Sequence, residues 1–169
     1  MDFARQAGVA AILVTATLIL QCIGMATLIH RARAYIARGM NRLSAWRAGV
    51  LVFRFTTWMV ALHILQILLW AAFYRWRCFP SWESCFYFSA TSYSTVGYGD
   101  VVLPQVWRAL GPVESILGML MCGISVSVLF AIMVRLIGAE TKVSTLANVN
   151  STGPVWDQPR AAVRVKDIG

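Results

Sequence analysis

Apolar and polar positions divide the chain into long blocks. Three apolar runs, at about residues 7–29, 48–74 and 106–137, each exceed the roughly 20 residues that carry a helix across a bilayer. A fourth helical segment, residues 82–94, is too short to span. Ser81 stands where an N-cap belongs, and Glu83 falls in the first turn, where a carboxylate suits the helix dipole. Gly111-Pro112 lies in the opening turns of the third run, so that helix either begins or kinks there. The pattern predicts an all-α membrane protein with three transmembrane helices and a re-entrant half-helix. Its expected units are an N-terminal transmembrane helix (1–30), a basic loop (31–47), a unit of two long helices around the short segment (48–137) and a polar, flexible tail (138–169). The first run is expected to be retained rather than cleaved. Its start (Met1, Asp2, Arg5) lacks a positive excess, no small-x-small site follows promptly, and Gln21 is too large to precede a lipid-bearing Cys22.

Composition strengthens the membrane reading. Apolar residues make up 59% of the 169, above the 45–50% or so of soluble domains. The formal charge of +8 is concentrated in one loop, at helix ends and in the tail, which argues against a nucleic-acid partner. Residues 30–47 carry Arg31, Arg33, Arg38, Arg42 and Arg47 and no acid, which the positive-inside rule puts in the cytoplasm. The N-terminus is then outside, the C-terminus is cytoplasmic, and the chain is multi-pass in a cell membrane. The basic segment is open to two readings. It is an interfacial helix with Tyr35, Ile36, Met40 and Leu43 on one face and arginines towards lipid headgroups, or a solvated linker. Trp70, Tyr74 and Trp76, with Arg75 and Arg77, read as an aromatic belt at the opposite interface.

Several polar residues interrupt the apolar runs. Arg54 is close enough to the cytoplasmic end to snorkel. His63 reads as a neutral histidine bonded to a neighbouring helix, although an intramembrane ionisable group is also a functional candidate. Glu114 either bonds to the back of the short helix or pairs with Arg75, Arg77 or Arg108. Cys22 and Cys122 read as small core residues. Cys78 and Cys85 flank a short loop and are either a disulfide or two thiols. No nucleophile–base pair, metal cluster or phosphate loop occurs, so no enzyme and no cofactor are expected. No helix repeats arginine every third residue, so no voltage sensor is expected either.

The short segment leads directly into Thr95-Val96-Gly97-Tyr98-Gly99-Asp100. Carbonyls along such a run point one way only if alternate residues take opposite-handed backbone angles, and Gly97 and Gly99 supply positive φ without a Cβ clash. The hexapeptide carries the Thr-Val-Gly-Tyr-Gly sequence of potassium-channel filters. With the helices on either side, over about residues 50–136, the chain resembles small prokaryotic-type potassium channels of the two-transmembrane-helix pore class. The helix at 1–30 is an addition to that plan.

The resemblance implies a potassium-selective channel. Thr95, Val96, Gly97, Tyr98 and Gly99 would coordinate potassium as the transported ligand, in a filter at 95–99 between an outer helix (48–74), a pore helix (82–94) and an inner helix (106–137). Asp100 would sit at the outer mouth with Tyr87 as its partner. Thr91 stands where some members keep a glutamate. Gly123 resembles the inner-helix gating hinge, and Gly118 competes for that role. One filter per chain implies a homotetramer with lipids around it. A non-conducting regulatory or docking subunit is the alternative, against which the two intact glycines speak. A subunit of an active transporter would carry degenerate filters instead.

Overall fold

The computed structural model describes residues 2–37 and 45–152. Among them are α1 (Asp2–Ala37), α2 (Ala45–Arg77), α3 (Trp82–Tyr93), a 3₁₀ turn (Gln105–Trp107) and α4 (Leu110–Thr152), with no strand. Three stretches are long and apolar enough to cross a membrane: Ala4–Tyr35, Gly49–Arg77 and Gln105–Arg135. The chain is an all-α, multi-pass membrane protein.

The helices overrun the bilayer. At 1.5 Å per residue, the 36 residues of α1 extend about 54 Å, against a hydrocarbon core of about 30 Å. Arg31 and Arg33 therefore ride on the last turns of α1, and Arg47 on the first turns of α2, rather than in a loop over 31–47. Arg31 stacks on Trp58 with its guanidinium carbon 4.8 Å from the ring centroid. Arg54 donates to the Tyr35 hydroxyl at 2.9 Å. Residues 38–44, and with them the rest of the interfacial-helix face, lie outside the described residues. At the other end α4 continues past residue 137 to Thr152. After Pro112 the next proline is Pro154, so nothing in the intervening sequence must break the helix. The rest of the expected tail, 153–169, lies outside the described residues. Pro112 occupies the first turn of α4, where no backbone donor is needed, so α4 begins at this point.

Two apolar clusters set the helix directions. One gathers Leu13, Trp70, Tyr74, Tyr93, Leu117 and Met121; the other gathers Met25, Leu28, Leu51, Phe55, Leu62 and Ile132. Along α1 and α4 the chain runs from the first cluster to the second, and along α2 it runs back. α1 and α4 are thus parallel to each other and antiparallel to α2. α3 packs on α2 and α4 beside the first cluster.

Burial revises two expectations. Trp70 and Tyr74 are fully buried and belong to the core, not to an interfacial belt; Trp76 is exposed, with Arg77 stacked 3.9 Å from its ring centroid. Their polar tips explain the inward placement. Trp70 Nε1 donates to Thr17 Oγ1 at 3.0 Å, and the Tyr74 hydroxyl donates to Glu114. Cys22 and Cys122 face outward on the single chain instead of filling its core, and Cys78 and Cys85 are thiols rather than a disulfide. Burial, and then the neighbouring Cys85, push the Cys78 thiol up to about 11.

α3 and α4 approach each other closely at Gly118. A Cβ there would lie 2.1 Å from the Tyr93 carbonyl oxygen, so only glycine admits the end of α3. Gly118→Ala should destabilise the purified protein by about 1–3 kcal/mol, the usual cost of overpacking. Thermal denaturation in detergent checks this. Gly8→Ala, at a helical glycine with nothing within 4 Å, should leave the midpoint no lower than the wild type's.

Candidate functional site

The loop from Ser94 to Pro104 hangs from the C-terminal end of α3. A helix leaves its last carbonyls without intrahelical donors, and here the following chain supplies them. The Ser94 amide donates to Ala90 O at 3.0 Å, the Thr95 amide to Ser92 O at 2.9 Å, and the Gly97 amide to Thr91 O at 3.0 Å. Ser115 on α4 adds its hydroxyl to Ser92 O at 2.7 Å. The start of the loop is thereby tied to the helix it leaves and to the helix behind it. At the other end of α3, Ser81 occupies the N-cap position, but its hydroxyl makes no cap bond.

Within the loop the backbone alternates in hand. Thr95, Gly97 and Gly99 have φ of 64°, 52° and 80°. Thr95 is the one non-glycine residue among those described with positive φ. A β-branched residue there costs roughly 1–3 kcal/mol. Such strain persists only where the surroundings over-determine it, and the two amide bonds flanking Thr95 do so. Val96 and Tyr98, between the left-handed positions, are 53% and 70% exposed on the single chain.

Asp100 closes the hexapeptide. Its Oδ2 accepts from the Tyr87 hydroxyl at 2.8 Å, and its Oδ1 accepts from the Val101 amide at 3.0 Å. Tyr87 also stacks on Tyr98, with planes 14° apart. The bond to Asp100, followed by burial, raises the Tyr87 pKa, so the phenol stays a donor through neutral pH. Thr91 does not join this pair. Its hydroxyl donates to Phe88 O at 3.0 Å within α3, and its contribution to the loop is the carbonyl that receives Gly97. Gly118 and Gly123 both lie in unbroken α4; the first is filled by Tyr93, and the second has nothing within 4 Å.

Glu114 braces α3 from behind. It is fully buried and accepts from Tyr74 Oη at 2.7 Å and from Ser89 Oγ. Its partners are hydroxyls on α2 and α3, which selects the back of the short helix over Arg75, Arg77 or Arg108. His63 Nδ1 lies 2.8 Å from the Tyr93 hydroxyl, which donates to Gln66 on α2. Tyr74, Ser89, Gln66 and Gln21 were not among the sequence candidates. Gln21, Gln66 and Tyr74 share one signal, a polar group inside an apolar run, whereas Ser89 sits in the mixed short segment and carries none.

With this geometry in view, the family model Ion_trans_2, described as ion channel, matches residues 50–135. That stretch is just over half of the chain, and it contains the described part of α2 from Val50, all of α3, the loop and α4 down to Arg135. The chain belongs to this ion-channel family and is a membrane ion-transport protein. No curated protein and no solved structure matches it.

The Glu114 site yields a stability prediction. Glu114→Leu strands the hydroxyl of Tyr74, while Ser89 keeps Ile67 O as an acceptor, and should cost about 1–3 kcal/mol for the donor left unpaired. Glu114→Gln keeps an acceptor and should recover most of that loss. The comparison of the two thermal midpoints in detergent checks it.

Proposed function

We propose that the protein is a potassium-selective channel, assembled as a homotetramer around a filter made of Thr95, Val96, Gly97, Tyr98 and Gly99. The observation that carries this reading is the alternation of hand at Thr95, Gly97 and Gly99 in a loop fastened to the end of α3. Alternation turns successive carbonyls towards one side, where four copies would replace the water around a dehydrated cation. The exposure of Val96 and Tyr98 supports the oligomer, because apolar and aromatic side chains beside such a loop are left to be covered by neighbouring subunits. In this reading α3 is a re-entrant pore helix, α2 the outer helix and α4 the inner helix. Asp100 and Tyr87 brace the outer mouth, and Thr91 holds the loop through its carbonyl. Gly123, which has open space around it, is the better hinge candidate; Gly118 is occupied by packing. The basic ends of α1 and α2 face the cytoplasm, which puts the N-terminus outside and the C-terminus inside.

Liposome flux tests the function. Purified protein should pass potassium far better than sodium and be blocked by barium; equal sodium flux would refute the selectivity, and no flux at all would favour the regulatory-subunit reading. Gly97→Ala puts a side chain at φ +52°, a conformation that costs roughly 1–2 kcal/mol per L-residue. It should abolish selective flux while tetramers still form on size-exclusion chromatography. An N-terminal tag should react with an impermeant reagent from outside the cell and a C-terminal tag should not.

A further inference from the structure

Between the two apolar clusters lies a layer of polar side chains drawn from all four helices. The Gln21 amide on α1 donates through Nε2 to Ser125 Oγ on α4 at 3.1 Å. Its Oε1 accepts from Gln66 Nε2 on α2 at 2.6 Å. Gln66 Oε1 in turn accepts from the Tyr93 hydroxyl at the end of α3. A hydroxyl has one proton to give, and Tyr93 gives it to Gln66. The proton shared with His63 at 2.8 Å must then sit on His63 Nδ1. The bonds therefore run in one direction, from His63 through Tyr93, Gln66 and Gln21 to Ser125. Gln21, Gln66 and Ser125 are each buried, as is Tyr93.

We propose that Gln21 is a positioning residue for the inner end of the filter, and that α1 is thereby a working part of the pore. The inference rests on the channel reading above. Tyr93 lies two residues before Thr95. Its carbonyl is pressed against Gly118, and its hydroxyl is held by Gln66. The ring thus fixes where the strained Thr95 begins, and Gln66 is oriented by the carbonyl oxygen of Gln21. Among the described residues α1 makes no hydrogen bond to α3 or Thr95; it acts through this chain. The members cannot turn to water when a partner is lost, because the layer is enclosed above and below by apolar clusters, so a change at Gln21 is passed on to Tyr93. At its far end the chain stops on Ser125, two residues beyond Gly123, so the inner helix and the filter entrance share one set of bonds through α1.

Potassium and sodium fluxes in liposomes test the inference, read as their ratio in protein shown to be tetrameric by size-exclusion chromatography. The variants are Gln21→Met, Tyr93→Phe and the double substitution, with Ile19→Ala on the exposed face of α1 as the control. Each single variant should lower the ratio by about threefold or more, the equivalent of one interhelical bond within a membrane. The double variant should fall no lower than the worse single one, because both break the same chain. Ile19→Ala should match the wild type. A merely structural role would reduce assembly or total flux and leave the ratio where it was. An unchanged ratio in tetrameric Gln21→Met or Tyr93→Phe, or full additivity in the double variant, overturns the proposal while the channel reading stands. If Gln21→Met does not assemble, Gln21→Asn, which withdraws the amide by one methylene, is judged by the same ratio. A wild type without selectivity overturns both readings together.

Discussion

A carboxyl group enclosed by protein is tolerable only if hydrogen bonds meet its oxygens, and Glu114 meets that condition in one arrangement of three helices. Tyr74 must come from α2 and Ser89 from α3, each with its hydroxyl towards the same side chain on α4. That requirement fixes α3 in rotation and height against the two long helices. The loop after α3 inherits the placement, since its first amides are bonded to the carbonyls of α3. Ser89 Oγ also lies 2.9 Å from Ile67 O, so its single proton is shared between the carboxyl group and the backbone of α2. Around this point aromatic rings fill the space: Tyr74 meets Phe88 edge to face at 5.1 Å, and Phe73 meets Trp107 at 5.3 Å.

Polar contacts have a particular value among apolar helices. Lipid tails are as apolar as leucine, so burying leucine against leucine gives little preference for one helix rotation over another. Hydrogen bonds do discriminate, because a rotated helix would leave donors and acceptors unpaired. Glu114 sets α2, α3 and α4 in this way, and the layer at Gln21 and Gln66 adds α1. Close packing does the rest where a side chain is missing: Leu62 sits over Gly24, and Tyr93 sits over Gly118. No buried side-chain nitrogen or oxygen among the described residues lacks a partner.

Most of the architecture was legible from hydrophobic run length alone. The three spans, the short helix at Trp82–Tyr93 and the start of α4 at Leu110, beside Pro112, all follow from apolar runs and their punctuation. Helix ends were less legible, because run length measures the apolar part only. Arg31, Arg33 and Arg47 interrupt the apolar pattern but are good helix formers, and the helices continue through them. The hexapeptide could be read directly, since its chemistry lies in the backbone and in two glycines. Glu114 could be recognised as needing partners, but Ser89 and Tyr74 are distant in sequence and no local pattern names them. Trp70 and Tyr74 look interfacial in the sequence because aromatics next to arginines usually are; the hydroxyl of Thr17 and the carboxyl of Glu114 draw them inward instead. Gln21 and Gln66 carry a signal of their own. An amide in the middle of an apolar span needs a partner on another helix for the same reason a carboxylate does.

The layer at Gln21 and Gln66 also bears on the order in which the chain is made. α1 and α2 leave the ribosome before α3 and α4 exist. Two lone amides in lipid would each be a burden on insertion, yet Gln66 Nε2 and Gln21 Oε1 bond to each other at 2.6 Å. The first hairpin can therefore enter the membrane with these two amides already paired. The Gln66 oxygen and the Gln21 amide nitrogen remain open on that pair, and Tyr93 and Ser125 later meet them. The hairpin made first is a template on which the second half of the molecule finds its register.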